Sequence, residues 1–422
     1  MSKITGGRCM LQVAIIGFGR RGQMFASKIQ QDDSVTLLAV ADPIEYIRNC
    51  AAEYGVAPEM RFSGADEFFA QGKICDAVFI CTQDSQHIDM AIRAMELGYD
   101  ICLEKPAAVN IDDCITIRDT ANRLGRKVML THVMRYSPFY QQIKKVIDDG
   151  TLGEIATIQQ TENVAWWHFC LSYVRGPWRR MSDSSCTIIA KCCHDLDIIN
   201  WLMPSKCTSV SSYGELFHFR EEKAPEGSAL RCRDCAPDVK EKCLYNAYKI
   251  YPDRMGISVI GGTARLNGRD LFEAIEDTND VVGRCVYHGD NDAIDNQVVN
   301  MNFDNGATAH LTMTAFSERC YRYIHVHGTK GQIHGDSETG ILHLTVFGQP
   351  EVTIDVNKLT DQKLDDGHGG GDYFLYRDFI DYITLNSPSI TRTTIDDSIE
   401  SHLMGFNAEE SRLHGGIPIK MQ

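Results

Sequence analysis

The chain contains no uninterrupted apolar run of about 18 residues, the length a membrane-spanning helix requires. Positive charge is also scarce: 42 Lys and Arg stand against 57 Asp and Glu, a formal charge of −15. Nucleic acids and anionic membranes select for basic surfaces, so neither is expected as a partner. The first residues, MSKITGGRCMLQ, lack the apolar stretch of a secretory signal, and the first ten or so are expected to form a flexible leader. Internal repeats and low-complexity segments are missing as well. What remains is an ordinary globular composition, 43% hydrophobic and 23% charged over 422 residues, long enough for two domains. Cysteine, by contrast, is plentiful, with 16 residues. Most sit singly in apolar runs such as VFICT and YDICLEKP, as reduced, buried thiols do, which points to a cytoplasmic, reducing location.

Residues 12–19, QVAIIGFG, form a short apolar run ending in Gly17-Phe18-Gly19-Arg20-Arg21-Gly22, and a helically spaced segment follows. A G-x-G-x-x-G between strand and helix is a dinucleotide-binding fingerprint. Its first glycine permits a tight turn, the second admits a pyrophosphate, the third lets helix and strand pack, and the helix amino terminus faces the phosphates. A second apolar run, VTLLAVADP, ends at Asp42, whose carboxylate can hold the ribose hydroxyls of NAD and repel the 2′-phosphate of NADP. No arginine directly follows Asp42, so NAD is expected over NADP, with Arg20 and Arg21 left as phosphate contacts. Strand and helix patterns then alternate through DAVFICT, HIDMAIRAMELG, YDICLEKP, IDDCITIRDTANRLG and KVMLTHVMRY, the last expected to be a strand. This alternation predicts a doubly wound parallel sheet over residues 11–135. Ligands of such sheets bind beyond the strand carboxyl ends, where Thr82, His87, Glu104, Lys105 and Arg135 fall.

The segment IIAKCCHDLDIINWL (188–202) places Ile188, Cys192, Leu196, Ile199 and Leu202 on one helical stripe. Lys191, His194 and Asp197 stack along a neighbouring face, so Asp197 is expected to orient the His194 ring while its other nitrogen takes a proton. Lys105, at the end of an apolar strand before Pro106, reads either as a surface lysine paired with Glu104 or as an ammonium beside the nicotinamide.

The ordered motifs VAIIGFGRRG, CTQDSQH, LEKP, RYSPFY with KKVIDDGTLGEI, GPWRR, CHDLDIINWL, HGTKGQI and GHGGGD resemble the Gfo/Idh/MocA family, which includes glucose-fructose oxidoreductase and inositol dehydrogenase. The resemblance runs over nearly the whole chain. It implies an NAD(P)-binding Rossmann domain followed, over 136–422, by an α/β domain on a large, mostly antiparallel open sheet that also makes a homo-oligomer contact, as dimer or tetramer. It also implies that Lys105 and His194 form the catalytic pair. One position departs from the pattern: where many inositol dehydrogenase relatives carry an aspartate four residues before the histidine, this chain has Ala190, followed by Lys191. Period-two patterns in the second half agree with an open sheet, with Asn305-Gly306 as a hairpin turn.

For hydride transfer His194 is then the expected base, Asp197 its orienter, Lys105 the electrostatic group, and Lys191 a further group in the site. Trp166, Trp167, Phe169, Tyr173 and Trp178, interleaved with His168, Arg175, Arg179 and Arg180, suit a sugar ring. Tyr136 and His368 are added as substrate contacts, and Asp372 is expected to cap the helix it begins. The acidic DNDAIDNQ (290–297) either contacts substrate or caps a strand. Within an insertion at 219–252, CRDCAPDVKEKC gives C-x2-C-x7-C, a zinc cue from Cys232, Cys235 and Cys243. The fourth ligand is open among Cys285, Cys193, Cys192 and His288, with Cys285 preferred. Three functions are consistent with these residues. The leading one is an NAD-dependent oxidoreductase acting on a secondary hydroxyl of a sugar or glycoside. The others are a glycoside hydrolase using tightly held NAD with no net redox change, and a non-catalytic NAD-bound regulator, which would need neither Lys105 nor His194.

Overall fold

A computed structural model describes residues 10–252, 269–359 and 368–421. The expected leader, residues 1–9, and residues 364–367 of the glycine-rich LDDGHGGGD stretch lie outside them. Six strands, β1 (Leu11–Ile16), β2 (Val35–Ala41), β3 (Arg61–Phe62), β4 (Ala77–Ile80), β5 (Asp100–Leu103) and β6 (Val128–Leu130), form a parallel sheet in the order β3-β2-β1-β4-β5-β6. Their near-continuous apolar runs reflect burial on both faces: every residue of β4 is buried. The Ile111–Leu124 helix is capped by the Asn110 side chain and ends at Gly125, in the left-handed region at φ 63°.

The remaining strands form a second sheet. They are β7 (Ile155–Ala165), β8 (Cys207–Glu215), β9 (Asn296–Phe303), β10 (Thr308–Ser317), β11 (Tyr321–Gly328), β12 (Gly331–Asp336), β13 (Ile341–Val346), β14 (Val352–Asp355) and β15 (Ile419–Lys420). Their order is β14-β13-β12-β11-β7-β10-β9-β8-β15, antiparallel except for the β7–β10 pair. One face is apolar and buried; alternate residues face outward, as the period-two pattern requires. The hairpin turn at Asn305-Gly306 is present.

Two expectations are corrected. KVMLTHVMRY is strand only over Val128–Leu130; Val133–Tyr136 is a 3-10 helix. The Leu130 N–H bonds Thr393 O at 2.8 Å, and Met129 bridges Thr394, so a distant segment covers the sheet edge while the chain turns off it. The Thr187–Leu202 helix is likewise not a surface helix with one apolar stripe. It is buried on nearly every side except at Lys191, Asn200 and Trp201. The Ile395–Leu413 helix, β7 and β10 pack on it from the second sheet's side, and the Val133–Tyr136 turn from the other. The Ile395–Leu413 helix also packs on Ile111–Leu124, tying the two sheets together.

Candidate active site

The nucleotide cradle follows the glycine motif. Gly17 has φ +86°, and a Cβ there would lie 2.6 Å from the Cys81 carbonyl carbon and oxygen; one on Gly22 would lie 2.4 Å from Gly17 O. The helix Arg20–Gln30 starts at Gly19 with no capping side chain and no acidic residue in its first turn, which leaves its N–H groups for an anion. Asp42 ends β2 and accepts hydrogen bonds from the N–H groups of Phe18 (2.8 Å) and Ile44 (2.9 Å). Burial pushes its carboxyl pKa up. A turn that only glycine fits, free helix amides and a buried carboxylate at the next strand end are the features a dinucleotide needs.

Several residues assigned to the cofactor have other work. Phe18 is fully buried, its ring 5.8 Å from Tyr54, so only its backbone faces the cradle. Arg20 is exposed at the helix start, but Arg21 turns away from the phosphate position. It donates to Glu104 (2.5 Å) and Asp372 (2.8 Å), joining the two halves of the chain. Asp372 is therefore not a cap; Gly370 holds that position. Burial works to raise the Asp372 pKa, yet Arg21 and His368 hold it well below the usual carboxylate range. Glu104 also accepts from Thr131 Oγ1 at 2.9 Å. His87 is fully buried, with its Nδ1 2.7 Å from Pro106 O and its Nε2 3.2 Å from Thr82 O, so it sits between two loops rather than facing a ligand. Thr82 Oγ1 is buried without a partner at the same strand end.

Lys105 reaches across from the first sheet, and its Nζ donates to Ala190 O at 2.8 Å, on the turn that carries His194. His194 is 6% exposed and its Nδ1 has no partner. Its ring lies 5.8 Å from His132 and 6.0 Å from His368. Burial, then the Lys105 ammonium and His132, drive its pKa well below the ordinary 6.5, so the ring is neutral. His132, with neither nitrogen partnered, is pushed down to about 3, chiefly by burial. Ligating atoms of His132, Cys193 and His194 all lie within 4.8 Å of one another. Lys105 sits close enough to depress His194, and an ammonium at that range opposes a metal dication there.

Asp197 does not orient His194. Its carboxylate is held in a two-point pair by Arg135 Nε (2.7 Å) and Nη2 (2.6 Å), both groups buried. Arg135 is thereby withdrawn from the nucleotide. Helical spacing reveals only neighbours on the same helix, and a bidentate guanidinium from another segment outcompetes an imidazole N–H. Lys191 pairs with Glu162 at 3.1 Å. Arg322 binds both Glu162 (2.6 Å) and Asp195 (2.8 Å), and Gln160 donates to Asp195 at 2.9 Å. Glu162, Arg322, Asp195 and His132 were missed from sequence. Alternation along β7 points Gln160 and Glu162 inward with Ile158 and Val164, and a buried acid in an apolar register was the available signal.

Among the expected substrate contacts, Tyr136 is 1% exposed and its hydroxyl donates to Asp378 at 2.7 Å, which removes it from the site. Arg179 is taken by Asp290 (2.8 Å), the first residue of the acidic 290–297 stretch. Trp178 Nε1 donates to Asp84 (3.1 Å), which also accepts from Ser184 (2.9 Å), another tie to the first sheet. Trp166 and Trp167 are partly buried; Trp166 lies 5.8 Å from Tyr245 and Trp167 5.9 Å from His168. His368, at φ 55°, bonds Asp372 through Nδ1 at 3.0 Å and faces His194. Cys193 stands beside His194 and Cys192 is in the core, so neither serves the cysteine insertion. His288 bonds Ser228 Oγ at 3.0 Å.

A Rossmann cradle whose strand-end lysine meets the histidine-bearing helix of a second, open-sheet half is the architecture of a two-part dinucleotide-dependent oxidoreductase. Residues 11–132 match the NAD-binding Rossmann fold of the oxidoreductase family Gfo/Idh/MocA, and residues 144–421 match that family's C-terminal alpha/beta domain. The chain belongs to this family. It is 25% identical to YteT of Bacillus subtilis over 360 residues, covering 82% of this chain and 81% of YteT. It is 28% identical to an alpha-N-acetylgalactosaminidase of Bacteroides fragilis over 156 residues, 36% of this chain and 37% of that protein. An inositol dehydrogenase homolog from Azotobacter vinelandii, solved with NADH and myo-inositol, shares the fold with a TM-score of 0.70 at 17% identity, covering 99% of this chain and 100% of that one.

Proposed function

We propose that the protein oxidises a secondary hydroxyl of a sugar or glycoside with NAD, with Lys105 and His194 at the reacting carbon. The observation that carries this reading is the Lys105 Nζ–Ala190 O contact of 2.8 Å, which brings an ammonium from one half onto the histidine-bearing turn of the other. When bound, NAD supplies the hydride acceptor. Lys105 has two N–H donors beyond the one on Ala190 and offers them to the substrate oxygen, stabilising negative charge as it develops. Neutral His194, with an unpartnered ring nitrogen, takes the hydroxyl proton. His132 and His368 border it and extend the donor and acceptor surface toward a polyhydroxylated substrate. Trp166 and Trp167 offer flat apolar faces for its ring.

The buried Asp42 favours NAD over NADP, and Arg48 nearby is engaged by the Asp42 carbonyl at 2.7 Å. Cysteines buried singly among apolar side chains, such as Cys102, Cys114 and Cys170, fit a cytoplasmic location. The half-exposed outer face of the nine-stranded sheet is the surface for a homo-oligomer contact. Similarity to the Bacteroides fragilis galactosaminidase favours a second reading, in which the same groups serve a transient oxidation, loss of the aglycone and return of the hydride. Incubating the protein with sugars and aryl glycosides, with and without NAD, separates the two. NADH accumulating in proportion to product supports the dehydrogenase; aglycone release with only catalytic NAD supports the hydrolase. Absence of both across the panel refutes either assignment.

A further inference from the structure

Between β8 and β9 the described chain is built of short turns and helices of four to six residues, Pro237–Lys242, Ala247–Ile250 and Leu271–Glu276, which bury Val239, Ala247, Ile250, Leu271 and Ile275. Four cysteines from three places in this insertion line one cavity. Cys232 and Cys235 flank a 3-10 turn, Cys243 ends the Pro237–Lys242 helix, and Cys285 follows Arg284, which bridges Arg231. All four are free thiols. Backbone N–H groups already aim at two sulfurs, Ala247 at Cys232 (3.5 Å) and Ala229 at Cys235 (3.3 Å), the outer hydrogen bonds that metal-bound thiolates accept.

Arg175 lines the same cavity and points independently to an anion there. It is 1% exposed. Its guanidinium donates to Arg284 O (2.6 Å), Tyr245 O (2.8 Å), Tyr251 Oη (2.8 Å) and Cys232 Sγ (3.6 Å). Among the described residues no carboxylate pairs with it. A buried guanidinium without a counter-charge is strongly disfavoured. Four thiolates around a dication carry a net charge of −2 and would supply that counter-charge against Cys232.

We propose that Cys232, Cys235, Cys243 and Cys285 bind a structural zinc ion, with Arg175 as its outer counter-charge. No three of these sulfurs lie within 4.8 Å of one another in the metal-free arrangement. Zinc binding requires the thiols to move inward to zinc–sulfur distances of about 2.3 Å. Each thiol loses its proton as it binds. The ion cross-links three separate stretches of this insertion, and through Tyr245 against Trp166 it steadies the aromatic side of the candidate site. Nothing in this assignment depends on which reaction the protein performs.

Metal analysis of the full-length protein purified without chelator tests it. The expected result is about one zinc per chain, lost in Cys243→Ser and Cys285→Ser but kept in Cys50→Ser, whose thiol lies elsewhere. Arg175→Met should weaken zinc in chelator competition by about 10–100-fold. If the cysteine variants do not fold, cobalt-substituted wild type decides alone, through a tetrahedral thiolate–cobalt absorption band. A folded wild type that takes up neither ion, a disulfide within the four, or iron with inorganic sulfide in place of zinc would overturn the proposal.

Discussion

The Thr187–Leu202 helix carries polar groups toward two neighbours, and the fold pairs charges on one side but not on the other. Toward β7 and β11, Lys191 and Asp195 meet Glu162 and Arg322 in a network of opposite charges. Toward the first sheet, His194 has an unpartnered nitrogen, His132 has two, and Lys105 is bonded to a carbonyl without a carboxylate. Groups whose charges are cancelled inside the chain hold the helix at a fixed depth between the sheets. Groups with unspent hydrogen-bonding capacity at the same depth are available to a ligand. The contrast lies within one helical turn, because residues 194 and 195 point about 100° apart around the helix axis.

Exchanging the two sides experimentally should separate their effects. On the unpaired side, His194→Ala should lower kcat by about 10²–10⁴-fold while denaturant midpoints stay close to wild type. On the paired side, Glu162→Gln leaves Lys191 and Arg322 short of a counter-charge and should cost about 3–5 kcal/mol in urea unfolding. Equal stability losses in the two variants would erase the distinction.

Titration sharpens it. Burial holds His132 at about 3 in the folded protein, against an ordinary 6.5. The unfolded chain therefore binds the extra proton first, and this histidine's contribution to stability is complete above about pH 6.5 and declines as pH falls toward 3. Asp372, held low by Arg21 and His368, adds a second decline below the ordinary carboxylate value of about 4. Melting temperatures between pH 7 and 5 should thus fall less in His132→Phe than in wild type. A parallel fall would show that His132 does not titrate with folding. The smallest effect belongs to Tyr136→Phe, which loses one hydroxyl bond to Asp378 and should cost about 0.5–1.5 kcal/mol with KM unchanged; a raised KM would return Tyr136 to the substrate.

The nucleotide half was legible because its determinants are local. The strand, Gly17, the helix start and Asp42 follow one another within one βαβ unit, and each has a backbone reason for its position. The candidate catalytic turn was legible in composition but not in pairing. Lys191, His194 and Asp197 were visible as a set, whereas Glu162, Arg322 and Arg135 reach them through contacts between distant segments that no helical period records. Tyr136 and the false strand through KVMLTHVMRY failed for the same reason: Asp378 and Thr393 arrive from more than 240 positions away. Spacing singled out three of the insertion cysteines and left the fourth ligand open among Cys285, Cys193, Cys192 and His288; Cys285 lines the same cavity as the three.

The most direct test of the account is single-turnover NADH formation by Lys105→Met on whichever sugar the wild type oxidises, with NAD affinity measured alongside. The account predicts that NAD binding holds within a few-fold while hydride transfer slows by about 10²–10⁴-fold. Hydride transfer at the wild-type rate with Lys105 gone would contradict it.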